Sequence, residues 1–158
     1  MTRSTITRRA VLLLAALIAA VSFVAVDPAA RPAQAAGCTG TTGVTVVVDF
    51  TAFGGTVERR CALGDPASGI AALQGAGFAV TGTSRWGLAF VCRLDGLPTA
   101  AAEACVNTPP TSAYWSYWHG TPGSAWTYST SGASAYNPAP GSVEGWAFGS
   151  GGQPTVAP

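Results

Sequence analysis

The 158-residue chain contains no lysine, one histidine (His119), one methionine and only 9% charged residues. Without lysine, and with its arginines scattered, it offers no basic stripe to a phosphate backbone, which sets nucleic acid aside as a partner. One histidine and no Cys-x-x-Cys spacing make a poor ligand set for a zinc centre. Nucleophilic catalysis needs a base beside its nucleophile, and the spacing suggests no Asp or Glu close to His119. Paired carboxylates of the glycosidase type would have to be drawn from Asp49, Glu58, Asp65, Asp95, Glu103 and Glu144, and those that can be placed lie mainly at turns and loop edges. The expectation is a protein that binds rather than catalyses, without cofactor or metal.

What the chain does have begins with a leader. Arg3, Arg8 and Arg9 precede an uninterrupted apolar run over residues 10–26, and Ala-Gln-Ala at 33–35 supplies small residues for cleavage. This pattern reads as a secretory signal peptide over residues 1–35, with the mature chain starting near Ala36 and working outside the cell. A retained membrane anchor fits less well, because small residues and two prolines, Pro28 and Pro32, follow the run. Two variants stay open: the paired Arg8 and Arg9 approach a twin-arginine signal, and Ala35-Ala36-Gly37 before Cys38 has the outline of a lipid-attachment site. From Ala36 onward four arginines face six acids, a formal charge of −2. That length supports one domain with one core.

All four cysteines, Cys38, Cys61, Cys92 and Cys105, lie beyond the leader. An even count in an exported chain implies disulfides, and four thiols allow three pairings. Cys38 with Cys61 and Cys92 with Cys105 is the preferred one, since each pair then closes one local loop.

Along the chain, the β-branched run at 43–50 reads as a buried strand that returns through a turn near Gly54 and Gly55 to a second strand around Val57. Ser68 as N-cap, then Ile70, Ala71 and Leu73, then Gly75 and Gly77, outline a short helix. Strands are expected at 78–83 and 88–96, a loop at 97–111, and three aromatic strands after it, within 112–120, 125–130 and 141–149. Residues 149–158 are expected to be a flexible tail.

The octet AYWSYWHG, residues 113–120, concentrates this aromatic content. Strand alternation puts Trp115, Tyr117 and His119 on one face and Tyr114, Ser116 and Trp118 on the other. Both faces are aromatic, so one set serves the core, and the other either strengthens cross-strand pairs or forms a platform for a ligand or partner.

The succession of the helix at 68–78, the strand FVCRLDG at 90–96, YWSYW at 114–118 and the stretch 126–148 with Gly132, Tyr136, Gly141 and Trp146 resembles the transcobalamin-like C-terminal domain family. The resemblance covers roughly residues 44–148. It implies an α+β, β-grasp-like domain over residues 36–148, a mixed sheet packed on one short helix. It further implies a ligand side made by Trp115, Tyr117, His119, Trp126, Tyr128, Ser134 and Tyr136. By the same resemblance the ligand would be a corrinoid (cobalamin) or another large planar compound, and the partner a transporter component of the energy-coupling-factor type. The chain departs from the pattern at Ser142, where the family usually carries Asp, and it lacks the helical domain that covers a corrinoid's other face in the animal carriers. The alternative function is an extracellular interaction domain that docks through its aromatic strands on a membrane or cell-wall partner.

Overall fold

The computed structural model describes residues 36–158. The signal-peptide reading of residues 1–35 lies outside the described residues. Among the described residues the architecture is mixed α+β: seven strands, one short α-helix and a single 3-10 turn. β1 (Gly43–Asp49) and β2 (Val57–Leu63) form an antiparallel hairpin in register from Gly43 with Leu63 to Asp49 with Val57. The connection uses the 3-10 turn Thr51–Phe53 and then Gly54, whose φ of 74° is the left-handed conformation that glycine adopts without a Cβ penalty.

α1 (Gly69–Gly75) starts where the capping signal put it: Ser68 is extended, and its side chain accepts from the Ala71 N–H at 3.1 Å. The two preceding orphan donors are also taken, Gly69 N–H by Tyr136 O at 3.0 Å and Ile70 N–H by Ala133 O at 3.2 Å. The 132–140 loop is thereby docked on the start of the helix. β3 (Val80–Thr83) and β4 (Gly87–Leu94) make a separate two-stranded antiparallel sheet with two register shifts. β5 (Tyr114–Gly120), β6 (Thr127–Tyr128) and β7 (Val143–Gly149) complete the main sheet in the order β2-β1-β7-β5-β6. β1 and β7 run parallel at its centre, and every other neighbouring pair is antiparallel.

Alternation then decides the layers. Val44, Val46, Val48 and Phe50, from β1 and its end, face α1 together with Trp115, Tyr117 and Trp146, and close over Ile70, Ala72 and Leu73. Leu73 is fully buried, and truncating it to Ala would cost about 3 kcal/mol. The opposite face carries Val47, Val143 and Trp126, with Trp118 and Val57 against them.

That second face is covered by residues 149–158, which corrects the expected flexible tail. Trp126 Nε1 donates to Val156 O at 2.7 Å, Trp118 Nε1 to Gly152 O at 3.0 Å, and Arg59 Nη2 to Ala157 O at 2.7 Å. Asp49 holds the segment most firmly: its Oδ2 accepts from both the N–H and the hydroxyl of Thr155, at 2.7 and 2.6 Å. Burial alone would raise the Asp49 pKa, but these bonds and the pair from Thr51 outweigh it and hold the carboxyl below its ordinary value. Gly145 makes the close approach feasible, since a Cβ there would lie 2.6 Å from a Trp126 ring carbon and 3.0 Å from Pro154 Cγ. The compact unit therefore runs through Pro158 rather than ending at 148.

Both disulfides form in the preferred pairing, Cys38 with Cys61 and Cys92 with Cys105. They mark a chain that folds in an oxidising environment, as an extracellular one does. Among the described residues no helix is long and apolar enough to cross a membrane.

Candidate functional site

Six of the seven residues nominated for the ligand side separate into three groups, and Ser134 stands apart from all of them. Trp115, Tyr117 and Trp126 are core residues, 4%, 7% and 8% exposed. Trp115 is wedged among Phe50, Phe53 and Phe148, with ring centroids 5.5–5.8 Å away, and its indole N–H donates to Leu97 O at 3.1 Å. Such enclosure leaves only a small part of the Trp115 and Tyr117 rings open to a cleft, which Trp126 does not line. Alternation identified the right sets, and the sheet uses both as core because both of its faces are covered.

His119 and Tyr136 belong to a second group, a polar cluster inside the sheet. The β5–β7 register sets His119 opposite Glu144. Glu144 is fully buried; its Oε2 accepts the Tyr117 hydroxyl, and its Oε1 lies 3.3 Å from His119 Nδ1, a hydrogen bond when that nitrogen carries the proton. Tyr136 stacks on His119 with centroids 3.7 Å apart. Burial, then the facing Glu144, push the Tyr117 hydroxyl pKa far above its ordinary value and raise that of Tyr136. The expectation that no acid approaches His119 is thus corrected: Glu144 is 25 residues away in sequence, and only strand register brings the two together. A carboxyl bonded to an imidazole is the orienting half of a catalytic triad, yet the contacts recorded for this imidazole are with Glu144, Tyr117 and Tyr136. Tyr117 and His119 thus both turn a polar group to the buried Glu144 carboxyl.

Tyr128 belongs to the third group, an open cleft. β6 has only two residues, paired with Trp118 and His119, so the first half of β5 has no strand on that side. β4 lies across from it, and residues 129–133 close the end. The resulting cleft has a volume of about 310 Å³, with walls that include Leu88, Phe90, Tyr114, Tyr128 and Gly132. Trp115, Tyr117 and Trp146 form its apolar floor. Leu88 and Tyr128 stand at the mouth, 37% and 46% exposed, and the Tyr114 and Tyr128 hydroxyls meet there at 3.3 Å. Tyrosine is the one titratable residue type in the lining, with no carboxyl, imidazole or thiol. Ser134 is exposed and lies outside this lining.

Two features of the cleft escaped the sequence reading. Trp146 in the floor carries a buried indole N–H with no hydrogen-bond partner among the described residues. Gly132 faces Ala89 O, and a Cβ there would fall 3.8 Å from that oxygen, an ordinary contact that leaves room for a larger side chain to intrude on the cleft. The resemblance names both residues, but it assigns neither of them to the ligand side. Among the described residues no group of three His, Cys, Asp or Glu side chains is placed to hold a metal.

Comparison with known families finds a match to the SCO2322-like domain over residues 107–157. The match takes in β5, β6, β7 and the docked C-terminal segment, about a third of the chain. It marks the aromatic half and its C-terminal cover as the part that is similar to that domain. No curated protein and no solved structure matches the chain.

Proposed function

We propose that the chain is an exported, non-catalytic binding module with a β-grasp-like fold, and that its ligand enters the cleft between β4 and β5. The fold reading is supported by the strand order β2-β1-β7-β5-β6 with its parallel central pair, an opening hairpin and a helix across one face. The single observation that carries the function is the cleft itself: an apolar floor, a half-exposed aromatic and aliphatic mouth, and a lining without ionisable groups other than tyrosine. Such a site recognises shape and uncharged polar groups, as ligand pockets generally do.

At about 310 Å³ the cleft lies at the lower end of the range of roughly 300–1,000 Å³ for ligand pockets. It takes a narrow or flat part of a ligand, so a corrinoid would insert an edge instead of lying on a broad aromatic platform. The resemblance to transcobalamin-like domains makes cyanocobalamin the first small molecule to try, and a place beside an uptake transporter is part of the same proposal. The test is tryptophan fluorescence of the oxidised protein titrated with cyanocobalamin, a neutral oligosaccharide and short neutral peptides, beside the Gly132→Leu protein. A saturable change with one probe, absent from the Gly132→Leu protein, supports binding in the cleft. Identical responses from both proteins to every probe would refute it.

A further inference from the structure

We infer that the cleft takes an extended, uncharged peptide, which adds as a strand to the open edge of β5. This inference rests on the proposed cleft and names its ligand class. It follows from the backbone groups that line one wall. Ser129 N–H donates to Tyr117 O at 2.9 Å, so Tyr117 turns its backbone polar groups to the β6 side of β5. Alternation by two then turns the N–H and C=O of Trp115 to the same side. β6 ends the pairing before reaching Trp115, because its two residues lie opposite Trp118 and His119. The chain beyond Ser129 does not continue the ladder: the Ser129 hydroxyl bonds to Ser131 O at 2.7 Å and accepts from Ser131 N–H at 3.3 Å, which curls it away from β5. A donor and an acceptor of one residue are thus presented together at a strand edge, the pattern that another extended backbone satisfies most directly.

The remaining features fit the same occupant. Residues 114–116 offer about 10 Å of edge at about 3.3 Å per residue, room for a peptide stretch of about three residues. No lysine, arginine, aspartate or glutamate lines the cleft, so nothing there selects a charged side chain. Leu88 and Tyr128 at the mouth suit apolar side chains at alternate positions. A small flat molecule would fill the volume but leave the Trp115 edge without a matched donor and acceptor.

The experiment is selection of a displayed random heptapeptide library on the purified, oxidised protein. The best binder is then resynthesised with each amide N-methylated in turn, and each form is titrated against the original and the Gly132→Leu protein. Binding should be lost in the Gly132→Leu protein, whose melting temperature and circular dichroism report that it is folded; Tyr128→Ala is the second variant should that fold fail. N-methylation should weaken binding about tenfold at alternate amides, those turned to β5, and little at the amides between them. Equal tolerance of N-methylation at every amide, with Gly132 dependence intact, would overturn strand addition and leave the cleft in place. Cleft-dependent binding of cyanocobalamin or an oligosaccharide with no peptide selected would overturn the peptide class alone. Binders indifferent to both Gly132→Leu and Tyr128→Ala would overturn the cleft and the inference together.

Discussion

Replacing Asp49 by asparagine should loosen the C-terminal segment before anything else. The carboxylate accepts four hydrogen bonds, two from Thr155 at 2.6–2.7 Å and two from Thr51 at 2.6–2.9 Å. Asparagine keeps one acceptor oxygen and turns an NH2 group toward the other pair, so one backbone N–H loses its acceptor, the paired hydroxyl must rotate to accept from the NH2, and every remaining bond loses its charge. A hydrogen bond to a charged group contributes about 1.5–3 kcal/mol, and both threonines are exposed enough for water to recover part of it, which leaves a loss of about 3 kcal/mol. The Thr51 pair is local to the β1–β2 turn, whereas the Thr155 pair ties down a chain end, so the end opens first. The Thr155 amide should then exchange with deuterium roughly a hundredfold faster in the Asp49→Asn protein, while the centre of β7 changes less. Acid should do the same to the unaltered protein. Because the folded pKa of Asp49 is lowered, its stabilisation is present above the unfolded value of about 3.9 and is lost as pH falls from there through the folded value. Unchanged protection at Thr155, in the variant and in acid alike, would refute the clamp.

Tyr117→Phe keeps the ring stacked on Trp146 at 4.6 Å but removes one donor from the buried Glu144, at a cost of about 2 kcal/mol. For 123 described residues, at about 2.1 cal/mol/K each, that lowers the melting temperature by about 8 °C; a shift below 2 °C would show that Glu144 is satisfied some other way. Replacing Cys92 and Cys105 together by serine opens a loop of sequence separation 13 and should cost about 3 kcal/mol in chemical denaturation by the chain-entropy estimate. The midpoint would then fall without a large change in slope, and an unchanged midpoint would contradict it. Gly132→Leu, at an exposed loop position where a Cβ meets only ordinary contacts, should leave the melting temperature within about 1–2 °C while abolishing cleft binding.

Local signals in the sequence carried much of this fold. The β-branched run at 43–50 could bury both faces, and did so as β1; Ser68 capped α1; the cysteine pairs closed the loops they flank. Alternation in the octet assigned Trp115 and Trp118 to opposite faces correctly. It was silent on what covers the second face, because residues 149–158 are rich in Gly, Ser and Pro and carry no periodic pattern. Their docking depends on Asp49, more than a hundred residues earlier. The cleft was illegible for a related reason: β6 reads as a six-residue strand over 125–130, and the serine-mediated curl at 129–131 ends it after Tyr128 and leaves the edge of β5 open. The pairing of His119 with Glu144 likewise depends on register between strands with a long loop between them.

The most direct test of the central claim is the 1H–15N correlation spectrum of the oxidised protein, recorded with and without the tightest probe from the fluorescence titrations. Shifted amides should cluster at residues 88–91, 114–117 and 128–133, with Trp115 and the Trp146 indole among the largest. Shifts confined to the β2 edge or to residues 149–158, with Trp115 and Trp146 unmoved, would contradict it.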